Sequence, residues 1–122
     1  AWFCINPNYK EINVASQEND PDSILNYYRK LLKFRKENEV CIYGKYEEHY
    51  RDSDKLYVYS RHYENERMLV ILSFCDKPHL FKAPDGFDLK DGECVLCNYH
   101  NPKLVDNGCL LKPYEARVYL FK

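Results

Sequence analysis

Near Val40 the apolar residues change from one spacing to another, and this change limits the fold more than any other feature of the chain. Upstream of it, Ile24, Leu25, Tyr28, Leu31 and Leu32 follow the i, i+3, i+4, i+7 spacing of a helix with one apolar face. Asp20 is placed to N-cap that helix, Pro21 to fill its first position and Asp22 to sit in its electropositive first turn. Lys33, Arg35 and Lys36 gather toward its C-terminal end, where the helix dipole favours cations. Tyr27 and Phe34 widen the apolar surface beyond one stripe, so this helix needs neighbours on more than one side. Before it, residues 1–19 show no clean period: Asn6, Pro7 and Asn8 read as a turn, and Gln17 to Asp20 as exposed loop.

Downstream of Val40 the period is two, and strands are expected at residues 41–49, 56–62, 68–74, 79–82, 93–98, 109–111 and 116–121. In the second, Leu56, Val58 and Ser60 alternate with Tyr57, Tyr59 and Arg61, as in a half-buried strand. In the last, Val118 and Leu120 alternate with Arg117, Tyr119 and Phe121. Residues 68–74 are almost continuously apolar, which predicts a central strand covered on both faces. Seven short strands with turn signals between them predict an antiparallel β-sandwich. The expected fold is therefore mainly β, with residues 1–38 holding one amphipathic α-helix and residues 39–122 forming an all-β domain.

Composition removes several function classes. No apolar run approaches the about 18–20 residues that would span a bilayer. Eighteen basic residues against nineteen acidic ones leave no electrostatic case for binding nucleic acid or anionic lipid. Aromatics make up 16% of the chain, which argues against disorder. The chain opens Ala1-Trp2-Phe3-Cys4, without an initiator Met or the basic and apolar regions of a secretory signal. It reads as a piece of something longer.

Six cysteines occur, at Cys4, Cys41, Cys75, Cys94, Cys97 and Cys109. Most occupy apolar slots, such as Val40-Cys41-Ile42, where a free thiol behaves as a small buried hydrophobe. Free thiols in a reducing compartment, and so a cytoplasmic location, are the expectation. Cys94-Val95-Leu96-Cys97, with His100 and Cys109 beyond, offers a tetrahedral ligand set for zinc, or a Cys-x-x-Cys redox pair. Both readings meet one objection. The pair falls in an expected strand, where residues three apart point to opposite faces. Packing cysteines are therefore expected, with no metal and no cofactor. No Gly-x-Ser-x-Gly, His-x-x-x-His or Gly-rich phosphate loop occurs, and the carboxylates fall mostly in turns. Tyr43, Tyr46, Tyr50, Tyr57, Tyr59 and Tyr63 are concentrated enough to line a face on which sugar rings stack, although ordinary packing with the hydroxyl at a rim is the simpler expectation.

The run from Trp2 to Tyr9, Ile12-Asn13-Val14, the run from Asp20 to Leu32 and Arg35-Lys36 together resemble the end of the catalytic barrel of the α-amylase family, glycoside hydrolase family 13. The resemblance is to the group holding oligo-1,6-glucosidases, dextran glucosidases, trehalose-6-phosphate hydrolases and sucrose isomerases. Tyr43-Gly44-Lys45-Tyr46, Leu69-Val70-Ile71, Asn98-Tyr99 and the run from Lys112 to Tyr119 are similar to that family's C-terminal domain. Cys94, Cys97 and Cys109 fall where such relatives usually carry apolar or ordinary residues.

The resemblance implies that residues 1–38 are the terminal loop and last helix of the barrel, and residues 39–122 the C-terminal domain. Retaining chemistry in this family uses a nucleophile and an acid about 5–5.5 Å apart across the glycosidic bond. Those carboxylates belong to barrel segments upstream of anything present here, so no catalytic, substrate-binding or metal residue is assigned to any position. The implied role is structural support of the barrel of an α-1,6- or α-1,4-glucosidase, with an auxiliary sugar-binding module using surface tyrosines as the alternative. Without the barrel, the apolar face holding Ile24, Leu25, Tyr28, Leu31 and Leu32 exceeds what a small sandwich can cover. It is expected to drive self-association or leave residues 1–19 mobile.

Overall fold

The computed structural model describes residues 4–122; Ala1, Trp2 and Phe3, and with them the start of the Trp2 to Tyr9 motif, lie outside the described residues. The chain divides after Asn38 into two compact units.

In the first unit the backbone between residues 4 and 19 is more regular than its sequence suggests. A 3₁₀ turn, Pro7–Lys10, begins where the Asn6 side chain accepts the Asn8 N–H at 3.1 Å. Helix α1, Val14–Glu18, begins with a reciprocal cap: Asn13 Oδ1 accepts the Ser16 N–H at 2.7 Å, and Ser16 Oγ accepts the Asn13 N–H at 3.4 Å. Helix α2, Ile24–Glu37, starts later than expected. Asp20 accepts the Asp22 N–H at 2.9 Å, and its carbonyl accepts the Ser23 N–H at 3.1 Å. This local turn uses up the carboxylate that was expected to cap, so Asp20, Pro21 and Asp22 all precede the helix. Ser23 is the cap, its Oγ accepting the Asn26 N–H at 3.2 Å. The Asn26 side-chain amide reaches back to the carbonyls of Gln17, Glu18 and Asp20, at 2.9, 3.0 and 2.7 Å. The start of α2 is thereby tied to the end of α1.

The second unit opens with one further correction. Residues 41–43, expected to begin a strand, fall instead in a one-turn helix α3, Val40–Tyr43. The β-branched residues alternate there as in a strand, but Glu39 and Val40 carbonyls accept the Tyr43 and Gly44 N–H groups at 2.8 and 3.1 Å. Gly44 ends the turn where any side chain would collide: a Cβ would lie 2.3 Å from the Val40 carbonyl oxygen and 2.7 Å from Arg61 Cβ.

Seven strands follow: β1 Lys45–His49, β2 Leu56–Tyr63, β3 Glu66–Ser73, β4 His79–Lys82, β5 Glu93–Cys97, β6 Gly108–Leu111 and β7 Ala116–Phe121. All pairings are antiparallel. One sheet has the order β1-β2-β3-β7-β5, and β4 pairs with β6 in a second. The expected antiparallel sandwich is what forms. Its core joins Val58, Leu69, Ile71, Tyr119 and Phe121 of the large sheet to Phe81, Cys109 and Leu111 of the small one, with Ala83, Phe87 and Leu89 closing the side. Strand β3 is central, and Met68 through Ile71 are buried on both of its faces. Val40 and Cys41 of α3 are buried too, with Cys41 Sγ 3.5 Å from Met68 Sδ.

Candidate functional site

The strand that carries Cys94 and Cys97 is not regular. Cys94 pairs with Tyr119 and Leu96 with Val118, so Val95 is an extra residue in β5, a β-bulge. The bulge reverses the expected orientation. Cys97 falls opposite Arg117 and Cys94 opposite Tyr119, so both cysteines lie on one face of the sheet. The objection drawn from strand alternation therefore fails, because it assumed an unbroken period of two.

Beneath the pair lies a buried polar group. Glu115 and Arg117 are 1% and 3% exposed. Glu115 accepts from Arg117 Nε and, at 2.9 Å, from the Lys112 N–H. Arg117 also donates to the Lys103 carbonyl at 2.9 Å and to the Tyr119 hydroxyl at 3.0 Å. Burial opposes the arginine's charge, but its hydrogen bonds to Glu115 and Tyr119 outweigh burial and raise its pKa. Burial pushes the Cys109 thiol up to about 11 and the Tyr119 phenol up to about 12, with Arg117 opposing both shifts. Cys97 is lowered to about 7, first by the neighbouring Cys94 thiol, then by the Tyr99 N–H and Arg117, against burial and Glu115. Cys94 is raised, by the neighbouring Cys97 and by burial. Glu115 and Arg117 also line a cleft of about 450 Å³, with Tyr99, His100, Lys103 and Lys112 around it.

As a metal centre the set fails. Among the described residues no group of three or more His, Cys, Asp or Glu side chains could hold a metal ion. Cys109 is fully buried and Cys94 packs partly against the apolar core, which is the packing role expected of them. Cys97 differs in making two hydrogen bonds, donating to Glu115 Oε2 at 3.6 Å and accepting the Tyr99 N–H at 3.4 Å. Nor does Glu115 resemble a general acid: the one buried carboxylate among the described residues, it is committed to Arg117 and to Lys112.

The six singled-out tyrosines separate into two groups. Tyr50 packs edge-on against Phe81 at 5.8 Å and donates to the Lys82 carbonyl. The other five form a row along α3, β1 and β2: Tyr43 with Tyr63 at 5.7 Å, Tyr46 with Tyr59 at 5.3 Å and Tyr57 with Tyr59 at 5.5 Å. The Tyr46 and Tyr57 hydroxyls lie 2.7 Å apart, and this bond is the first cause of the rise of Tyr46 to about 12. Tyr43, Tyr46 and Tyr57 are 65%, 43% and 40% exposed. Their rings are tilted or edge-on to their neighbours rather than coplanar.

A further surface lies on α2. Ile24, Tyr28, Leu31 and Leu32 are 84%, 57%, 39% and 48% exposed, and no residue of α2 is buried. No helix among the described residues is long and apolar enough to cross a membrane.

Comparison with known proteins bears on these surfaces. Residues 1–44 match the family model "Alpha amylase, catalytic domain". Across 97% of its length the chain is 39% identical to an oligo-1,6-glucosidase of Parageobacillus thermoglucosidasius, and across 99% it is 38% identical to one of Bacillus cereus. It spans about one fifth of those relatives: 21% of the first and 22% of the second. Among solved structures, trehalose-6-phosphate hydrolase of Bacillus licheniformis superposes with a TM-score of 0.88 at 36% identity, over 99% of this chain and 22% of that one. Isomaltulose synthase of Klebsiella sp. LX3 does so with a TM-score of 0.88 at 32% identity, over the same shares.

Proposed function

We propose that this chain, which belongs by sequence to the oligo-1,6-glucosidase group of the α-amylase family, is the non-catalytic C-terminal part of an α-glucosidase. In this reading residues 1–38 are the last barrel loop and helix, and residues 39–122 the C-terminal β-domain. The parent would hydrolyse α-1,6 or α-1,4 glucosidic bonds with retention, using carboxylates outside this chain. The role of this part is to secure the final helix and cover one side of the barrel.

One observation carries the reading. Helix α2 presents Ile24, Tyr28, Leu31 and Leu32 to solvent along one side, a pattern that only an apolar neighbour would stabilise. Full burial of each such side chain is worth roughly 1.5–3 kcal/mol. That is ample to hold the helix once a partner surface is present. A second reading, an auxiliary sugar-binding surface, draws on the exposed row of Tyr43, Tyr46 and Tyr57.

Titration of the isotopically labelled chain with isomaltose, recording protein shifts and released glucose together, tests both. The structural reading expects neither shifts nor glucose. Shifts confined to the tyrosine row would favour the second reading, and glucose released in proportion to protein would refute both.

A further inference from the structure

The bulge in β5 has a chemical consequence. It brings Cys94 and Cys97 to one face of the sheet, with neither side chain fully buried. The two sulfurs have unlike surroundings. Cys97 accepts the Tyr99 N–H at 3.4 Å and lies across from the Arg117 guanidinium. Cys94 donates to the Leu96 carbonyl at 3.5 Å and packs partly against the apolar core. A sulfur that accepts a backbone N–H across from a fixed cation is suited to carry negative charge. Cys97 Sγ also donates to Glu115 Oε2 at 3.6 Å, which works against the thiolate, but that carboxylate's charge is already met by Arg117 and the Lys112 N–H. Cys109, on β6, is fully buried and held as the neutral thiol. Strand β5 is also an edge strand, paired only to β7.

We propose that Cys94 and Cys97 are a redox-active dithiol that closes reversibly to an intramolecular disulfide, with a low-molecular-weight disulfide as oxidant. The Cys97 thiolate attacks one sulfur of the oxidant, forming a mixed disulfide and expelling the other half as a thiolate. Cys94 then gives up its proton and attacks the Cys97 sulfur, and the second half of the oxidant leaves. Two protein thiols are oxidised, one external disulfide is reduced, and the two protons end on the two small thiols released. The lowered Cys97 and raised Cys94 set the order of attack. This chemistry is independent of the glucosidase reading and needs no sugar.

The test equilibrates the whole chain with oxidised and reduced glutathione at neutral pH, quenches with acid, alkylates the remaining thiols and maps the peptides. The expected product is a peptide in which Cys94 and Cys97 have lost two hydrogens and carry neither alkyl group nor glutathione. Cys94→Ser should retain one glutathione on Cys97, and Cys97→Ser should leave Cys94 alkylated. The wild-type result decides without either variant. The proposal is overturned if both thiols stay fully alkylated under oxidising buffer. It is equally overturned if glutathione remains on Cys97 of the wild type, or if either cysteine pairs with Cys109 instead.

Discussion

At the residue scale, the buried Glu115–Arg117 pair is where this small domain carries its greatest risk. Removing one partner leaves the other charged and desolvated, so Arg117→Met should lower unfolding free energy by about 3–5 kcal/mol in urea titration. Replacing both partners with Met should cost distinctly less than that single change, because no orphan charge remains. A pH effect follows from Cys109. Its folded-state pKa of about 11 exceeds the ordinary thiol value of 9.0, so the folded chain keeps a proton that the unfolded chain releases between those values. The stabilisation is full below pH 9 and fades as pH rises through 11. Unfolding midpoints measured across that range should fall, and Cys109→Ala should shallow the fall without abolishing it, since Tyr119 titrates next. The alternation in β7 was legible, but not its sense. Arg117 faces inward because Glu115, two residues earlier and outside the strand, is folded in beneath it. No periodicity encodes such a contact. The Cys94–Cys97 geometry was hidden for a similar reason, since a bulge is set by pairing with β7 and leaves no mark in five residues of strand.

At the scale of elements, strands read well where both faces are decided by burial. The limits of β4 and β7 match the expectation residue for residue, and β2 and β3 differ only at their ends. Helix starts read less well, because several polar residues compete for the cap. Asp20, Asp22 and Ser23 all qualify on chemistry, and the Asx turn at Asp20 decides between them. Ser23→Ala should therefore cost about 1 kcal/mol in thermal unfolding followed by helix ellipticity, and Asp20→Ala less. A larger loss from Asp20→Ala than from Ser23→Ala would place the cap at Asp20 after all. The strand expected across residues 41–44 failed because four residues suffice for a turn of helix as well as for a strand. On α2 the exposed apolar side should make the isolated chain self-associate. Leu31→Lys with Leu32→Lys should abolish that in sedimentation velocity, while shifting stability by only about 0.5 kcal/mol.

At the scale of the whole molecule, two facts meet. The chain is a segment homologous to about one fifth of its relatives, and its longest helix has no buried residue. The mainly-β architecture was legible from periodicity alone, and the family from ordered motifs along the chain. Strand order was not, because it depends on which distant segments pair. The central claim is that the exposed side of α2 is shaped for a barrel supplied by the rest of the parent. Its most direct test is a chimera in which this chain replaces the homologous fifth of the Parageobacillus thermoglucosidasius oligo-1,6-glucosidase, compared with the same chimera carrying Leu31→Glu and Leu32→Glu. The account predicts that the unaltered chimera releases glucose from isomaltose, and that the charged one loses both that activity and several degrees of thermal midpoint. Equal activity and equal midpoints in the two chimeras would contradict it.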